Sequence, residues 1–204
     1  LNIGGISNIT VIKQYDLNEI ISKDIGPGNC MIDEWLRKNS KYTYDKDGLI
    51  AESGIINNII LEQAQELYVN RLNKNSSSLD TKDFDISFVR GLSLEDGVAT
   101  LTEFTAQIIA DALNTSLLDK EDHPWKILLC GGGRKNKTLI KYIKNKVSNN
   151  KKVCLIDNFR INGDYIESQA FAYLAIRSYL SLPISFPKTT GCLEACSGGE
   201  IISN

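Results

Sequence analysis

Apolar positions alternate with polar ones over the first twelve residues. With Leu1, Ile3, Ile6, Ile9 and Val11-Ile12 as the apolar set, they predict a β-hairpin folded about Gly4-Gly5. A third strand is expected over Glu19 to Ile25, stopped by Gly26-Pro27-Gly28, with Asn29 placed to cap a helix. Ile32, Trp35 and Leu36 then follow i, i+3, i+4 spacing, the period of an α-helix, and Lys38 to Gly48 reads as a polar loop. A stronger helix is predicted from Gly54 to Leu72, with Ile55, Ile56, Ile59, Ile60, Ala64, Leu67 and Tyr68 on its apolar stripe. Asn73 to Asp80 is polar and Ser-rich, and is the expected flexible connection. Ser93 with Asp96 has the form of a capping box opening a long helix through Leu101, Phe104, Ile108, Ala112 and Leu117. Lys126 to Cys130 reads as a short buried strand ending at Gly131-Gly132-Gly133. A helix carrying Leu139, Ile140, Ile143 and Val147 follows, then a strand near Val153 to Ile156. The last predicted helix, Asp164 to Leu180, is small on one side at Ala170, Ala172 and Ala175. Three antiparallel strands, helices and then β-α-β-α make one α/β domain with a mixed sheet and no internal repeat.

Composition narrows the function classes. The 204 residues are 42% hydrophobic, enough for one core, and the net charge is −2 with Lys and Arg scattered. No basic face is written for nucleic acid or an anionic membrane, and the apolar runs are too short for a transmembrane span. The five cysteines (Cys30, Cys130, Cys154, Cys192 and Cys196) lack metal-ligand spacing. Cys130 and Cys154 lie in apolar runs, as small core residues of a reducing cytosol do. A single histidine disfavours zinc. Leu1 opens the chain and Met31 is its only methionine, which predicts that the chain is part of a longer protein.

Four turns could carry chemistry. Gly4-Gly5 with Ser7 and Asn8 can present backbone, hydroxyl and amide donors to phosphate, or can simply be a hairpin turn. Asp24-Ile25-Gly26-Pro27-Gly28-Asn29 joins a strand-end carboxylate to a helix start. The helix start suits an anion and Asp24 a water-linked magnesium ion; the alternative is a turn with its N-cap. Gly131-Gly132-Gly133-Arg134-Lys135-Asn136 lies between a strand and a helix and offers a side-chain-free floor for a flat ring or ribose. It imitates a dinucleotide fingerprint with Asp157 as the ribose acid, but Asn136 stands where the third glycine belongs. Asp164 and Glu167 share one side of a first helical turn, where they can hydrogen-bond sugar hydroxyls or favour the helix dipole. His123 has no triad partner and reads as a surface residue, and Trp35 and Trp125 read as packing residues.

In this order the chain resembles the C-terminal half of the anhydro-N-acetylmuramic acid kinase family. The matching stretches are LNIGGISNIT (1–10), DIGPGNCMIDEW (24–35), Tyr44-Asp45 with Gly48, SLDTKDF (78–84), ATLTEFTA (99–106), LCGGGRKN (129–136), GDYIESQAFAYLAIR (163–177) and LPISFPKTTG (182–191). The SLDTKDF form is similar to that of alphaproteobacterial members, whereas Cys192 to Gly199 matches poorly. The resemblance implies a ribonuclease-H-like lobe of the sugar kinase, actin and heat-shock chaperone superfamily, spanning residues 1–204 as the C-terminal nucleotide-binding lobe. It implies ATP and Mg2+ as cofactors and 1,6-anhydro-N-acetylmuramic acid as substrate. The reaction would be hydrolytic opening with phosphorylation to N-acetylmuramate 6-phosphate, in cytoplasmic peptidoglycan recycling. Gly4, Gly5, Ser7, Asn8, Gly26, Gly28 and Asn29 would meet the phosphates. Gly131, Gly132, Gly133 and Asn136 would meet adenosine, Asp164 and Glu167 the sugar, and Asp24 the metal. The catalytic base is expected in an absent N-terminal lobe, so this stretch alone is expected to turn over little; a homodimer partner stays open. The rival readings are a non-catalytic nucleotide-binding or scaffold domain on the same fold, and a methyltransferase or dehydrogenase using the Gly131 loop.

Overall fold

The computed structural model describes residues 1–13, 16–72, 78–117, 124–200 and 202, with the backbone alone at 69–72. His123 and the 73–77 part of the expected flexible connection lie outside the described residues. Strands β1 (Asn2–Ile3), β2 (Ile6–Val11) and β3 (Ile21–Pro27) form an antiparallel ribbon, and β4 (Trp125–Leu129) and β5 (Lys151–Leu155) pair in parallel. A parallel bridge between Asn2 and Cys130 joins the two. There the Ile3 amide donates to the Cys130 carbonyl at 3.0 Å and the Cys130 amide to the Leu1 carbonyl at 2.9 Å. The strand order is therefore β3-β2-β1-β4-β5.

The two-residue period of the strands sorts their side chains onto two faces. Ser7, Ile9 and Val11 of β2 and Ile127 and Leu129 of β4 are buried. The apolar ones pack against Ile109 and Leu113 of α4 (Leu94–Ser116) and Leu139 and Ile143 of α5 (Lys137–Lys146). A second cluster gathers Met31, Ile32 and Leu36 of α1 (Cys30–Asn39) with Val98, Leu101 and Phe104, so α4 belongs to both cores. Trp35 serves packing, as expected: its indole N–H donates to the Leu94 carbonyl at 3.1 Å, and a Cβ at Gly97 would stand 2.5 Å from its ring. Trp125 is half-buried against the sheet-side core.

Some boundaries differ from the periodicity. The predicted Gly54–Leu72 helix begins only at Asn58, as α3 (Asn58–Leu72), and is separated by a break at 54–57 from a short helix that the periodicity did not show, α2 (Leu49–Ser53). The break is tertiary in origin. Side chains of α4 capture backbone donors that a continuous helix would need, Ile55 N–H going to Asp96 Oδ1 at 2.7 Å and Asn57 N–H to Thr100 Oγ1 at 3.0 Å. Asp96 is thereby diverted from the expected capping box, in which only Ser93 acts, accepting from the Asp96 amide. Ile55, Ile59 and Leu67 of the predicted stripe are exposed, and Leu61 and Ala64 are the buried positions. The third strand begins at Ile21 and runs through Gly26 to Pro27 instead of stopping before them. It is the edge strand, where a residue lacking an N–H is tolerated. The last long helix, α6, spans Ile166–Tyr179, and a short α7 (Pro187–Thr190) that the periodicity did not show lies on β3. All five thiols are unpaired. No helix among the described residues is long and apolar enough to cross a membrane.

Candidate functional site

Three of the four glycine-bearing turns meet at one end of the sheet. The Gly28 amide donates to the Gly5 carbonyl at 2.8 Å, and the Asn29 amide and side-chain Nδ2 both donate to the Gly4 carbonyl, at 2.8 and 3.0 Å. Gly28 fits because it has no side chain: a Cβ there would stand 2.3 Å from the Gly4 oxygen. A Cβ at Gly133 would stand 2.3 Å from the Ile3 side chain and 3.1 Å from Asn29 Nδ2, which brings the third turn against the first two. Asn29 occupies the N-cap position of α1 but makes no side-chain capping bond, because its amide is spent on the hairpin. The first donors of α1 are likewise directed at the Gly4 and Gly5 carbonyls rather than outward, Cys30 N–H reaching Gly5 at 3.2 Å. Ser7 is buried with its hydroxyl donating to the Pro27 carbonyl at 2.9 Å, and Gly26 lies beneath Ile108.

The Gly131 loop turns through a left-handed backbone at Gly131, φ 80°, which favours glycine. Gly132 is the open member, with nothing within 4 Å of where its Cβ would be. Asn136 is buried and caps α5, its Oδ1 accepting from the Leu139 amide at 2.9 Å. Thr138 Oγ1 donates to the Gly48 carbonyl at 2.7 Å, tying in the loop that Asp45 fixes by accepting from the Ile50 and Ala51 amides.

Arg134 links this loop to the start of α6. Its side chain is 4% exposed. Nε donates to Asp157 Oδ2 at 2.8 Å, and Nη1 to Asp164 Oδ1 and the Gly131 carbonyl, each at 3.0 Å. Gly163 packs flat on the guanidinium, where a Cβ would stand 2.3 Å from Nε. The Arg134 hydrogen bond pulls the Asp157 carboxyl down to about 2. Lys135, then Arg134, hold Asp164 below the ordinary carboxylate range. Asp157 is thus committed to arginine, which removes the ribose acid that a dinucleotide reading of this loop requires.

A groove of about 830 Å³ runs along the sheet face opposite α4 and α5, beneath α6. It brings Asn8, Gly131, Asp164 and Glu167 together with Leu128 and Ile166. Asp164 is engaged by two cations, whereas Glu167 makes no side-chain hydrogen bond among the described residues. Asp24 lies across from Asn8 in the ladder, and its Oδ2 accepts from Ser78 Oγ at 3.0 Å and from the Leu79 amide at 2.9 Å. No group of three or more His, Cys, Asp or Glu among the described residues could hold a metal by itself. Asp24 Oδ1 makes no protein hydrogen bond among them, which fits a magnesium ion held chiefly by water and phosphate.

Asp33, in the first turn of α1, carries a raised carboxyl beside this site. Burial pushes it up to about 6, Arg37 opposes the shift and Asp45 adds to it. A carboxyl raised on folding costs nothing below its unfolded value of about 4 and destabilises increasingly as pH rises through 6. Water still reaches this part-exposed carboxyl and screens it, so Asp33→Asn is expected to stabilise the fold by about 1 to 2 kcal/mol at pH 7.5, by less at pH 5 and by nothing at pH 3. Chemical denaturation at the three pH values measures it, and a gain independent of pH would refute it.

Sequence reasoning gave no role to Arg134 or Thr81, whose methyl would lie 3.7 Å from a Cβ at Gly5. The SLDTKDF stretch was the available signal for Thr81, since its Asp80 and Asp83 close a capping box around that turn. Nothing local marks Arg134, whose carboxylate partners lie 23 and 30 residues further on.

Comparison with known proteins agrees with the resemblance. The family model described as Anhydro-N-acetylmuramic acid kinase matches residues 1–204. The anhydro-N-acetylmuramic acid kinase of Pelagibacter ubique is 45% identical over 204 residues, covering 100% of this chain and 54% of the relative. Those of Zymomonas mobilis and Caulobacter vibrioides are 42% and 36% identical, covering 98% and 99% of this chain and 53% and 52% of the relatives. The chain spans about half the length of the curated relatives it matches. With a match running from the first hairpin to the last residue, the chain belongs to the anhydro-N-acetylmuramic acid kinase family.

Proposed function

We propose that residues 1–204 are the C-terminal, nucleotide-binding lobe of a two-lobe, ATP-dependent cytoplasmic kinase. It would convert 1,6-anhydro-N-acetylmuramic acid and water to N-acetylmuramate 6-phosphate in peptidoglycan recycling. The observation that supports this most is the meeting of the Gly4-Gly5, Gly26–Asn29 and Gly131–Gly133 turns at one end of the sheet, beside a groove reaching Glu167. The strand order β3-β2-β1-β4-β5 supports a ribonuclease-H-like lobe.

Gly4, Gly5 and Asn8 receive the phosphates, and Gly28 and Asn29 hold that hairpin in shape. Ser7 and Gly26 act from beneath, as packing. Adenosine lies on Gly132, flanked by Gly131 and Gly133, and Asn136 contributes by capping the helix that follows. Glu167 accepts from sugar hydroxyls, and Asp164 positions it through Arg134. Magnesium, held through Asp24 Oδ1, would neutralise phosphate charge. The base that activates water belongs to the N-terminal lobe, and closure of the two lobes excludes bulk water from the transfer.

Gly132→Ala separates ligand contact from folding. A methyl there touches no protein atom within 4 Å, so the melting temperature stays at the wild-type value. Intruding on a bound nucleotide, the methyl weakens ATP binding about tenfold. Calorimetric titration of MgATP into the full-length gene product tests both. No ATP binding by the wild-type protein, or unaltered binding by the variant, would overturn this assignment.

A further inference from the structure

Beyond α6 the chain forms a strap tied on both sides. Arg177 Nε donates to the Pro183 carbonyl at 2.6 Å, Ser178 Oγ donates to the Gly198 carbonyl, and α7 lies on β3 with Lys188 Nζ 2.6 Å from Glu19. Between these ties Ser185 and Cys196 form an antiparallel bridge, each amide donating to the other's carbonyl at 3.1 Å. Gly191 ends α7 in the left-handed region, φ 75°, and the backbone bends again at Leu193-Glu194. That bend returns the chain on itself, so that the Cys196 thiol hydrogen-bonds the Cys192 side chain.

Packing does not account for the pair. Neither thiol belongs to either apolar core, Cys196 is exposed, and Leu193 at the bend between them is fully in solvent. Cys30, by contrast, is buried in the α1 core. A bond between the two sulfurs would close a ring of five residues whose backbone is already bent. We propose that Cys192 and Cys196 form a redox pair, closed to a disulfide by a hydroperoxide and reopened by a thiol reductant. Hydrogen peroxide gives one oxygen to the exposed Cys196 sulfur, its O–O bond breaking, and leaves a sulfenic acid and one water. The Cys192 sulfur then attacks that sulfur, the S–O bond breaks, and the hydroxyl leaves with the Cys192 proton as a second water. The two thiols lose two electrons and the peroxide gains them. Partial desolvation, then Cys192 and Glu194, hold the Cys196 thiol above its ordinary range, so the reacting thiolate is scarce at neutral pH and closure quickens as pH rises. In a reducing compartment such a pair rests open and records oxidant as a transient disulfide. Closed, it fixes the bend after α7, and with it the tie between the end of α6 and β3. The inference holds whatever the groove binds.

The test uses the full-length gene product, reduced, exposed to hydrogen peroxide at pH 8 and then blocked with iodoacetamide under denaturing conditions. Trypsin cuts after Lys188, and the peptide beginning at Thr189 is expected to carry no carbamidomethyl label and to weigh two hydrogens less than the dithiol. Cut again after Glu194 by a glutamate-specific protease, its halves stay joined until reductant is added. Label on both cysteines, a bond from either to another cysteine, or oxidation that ends at sulfinic or sulfonic acid would each overturn the proposal. Cys192→Ser supplies a second measurement. With no partner left for Cys196, dimedone is expected to trap about tenfold more sulfenic acid there than in wild type. Equal trapping in the two proteins, or none in the variant, overturns the proposal.

Discussion

Gly28→Ala is expected to lose MgATP binding by more than about a hundredfold and to destabilise the fold by about 3 kcal/mol. The added Cβ would stand 2.3 Å from the Gly4 oxygen, 3.0 Å from the Gly4 carbonyl carbon and 3.1 Å from the Gly5 oxygen. All three are backbone atoms, so no side-chain rotation relieves the contact and the hairpin itself must move. Moving it also strains the Gly28 to Gly5 and Asn29 to Gly4 hydrogen bonds, each contributing about 1 kcal/mol. Titration calorimetry and thermal melting on the same sample read the two effects. Set beside Gly132→Ala, the pair distinguishes a residue that shapes the site from one that a ligand touches. A Gly28→Ala protein as stable as wild type would mean that the two turns are not strapped together.

Arg134→Ala comes second, with an expected loss of about 2 kcal/mol. The deep guanidinium alone would cost more, but Asp157 and Asp164 are 41% and 50% exposed and water takes over part of their solvation. Arg134→Lys recovers only part of the loss, since an ammonium cannot make the fork to Asp157 and the separate bonds to Asp164 and the Gly131 carbonyl. The pH dependence is diagnostic. Asp157 has its carboxyl depressed by Arg134, so its contribution is complete above about pH 4 and disappears as pH falls towards 2. Wild type should lose stability across that interval more steeply than Arg134→Ala, as read by urea denaturation at pH 7, 4 and 3. Parallel slopes would show that the ion pair does not contribute to folding.

Local pattern carried the regular elements. The hairpin, α4 and α5, and the strand before Gly131 follow from period and capping residues, because their stabilising partners lie within one element or one turn. What failed to show was decided across the fold. The predicted Gly54–Leu72 helix starts late, at Asn58, because Asp96 and Thr100, some forty residues away, take the Ile55 and Asn57 amides, and no periodicity in 54–72 reveals those competitors. Glycine clusters marked the turns that meet at the candidate site, since close backbone approach leaves a mark in composition. They did not disclose which side chains point into it. Asn29, Asn136 and Asp164 all look like ligand donors in one dimension, yet each is committed to the protein: to the Gly4 carbonyl, to the α5 N-terminus and to Arg134.

The seam between β1 and β4 bears on how the molecule could respond to what it holds. There the Leu1 amino group donates to the Leu128 carbonyl, and backbone bonds at Leu1, Ile3 and Cys130 join the antiparallel ribbon to the parallel pair. Gly4-Gly5 lies on one side of that seam and Gly131–Gly133 on the other. A triphosphate spanning both would act as a rivet across that seam, and part of its binding energy would go into holding the two panels in register.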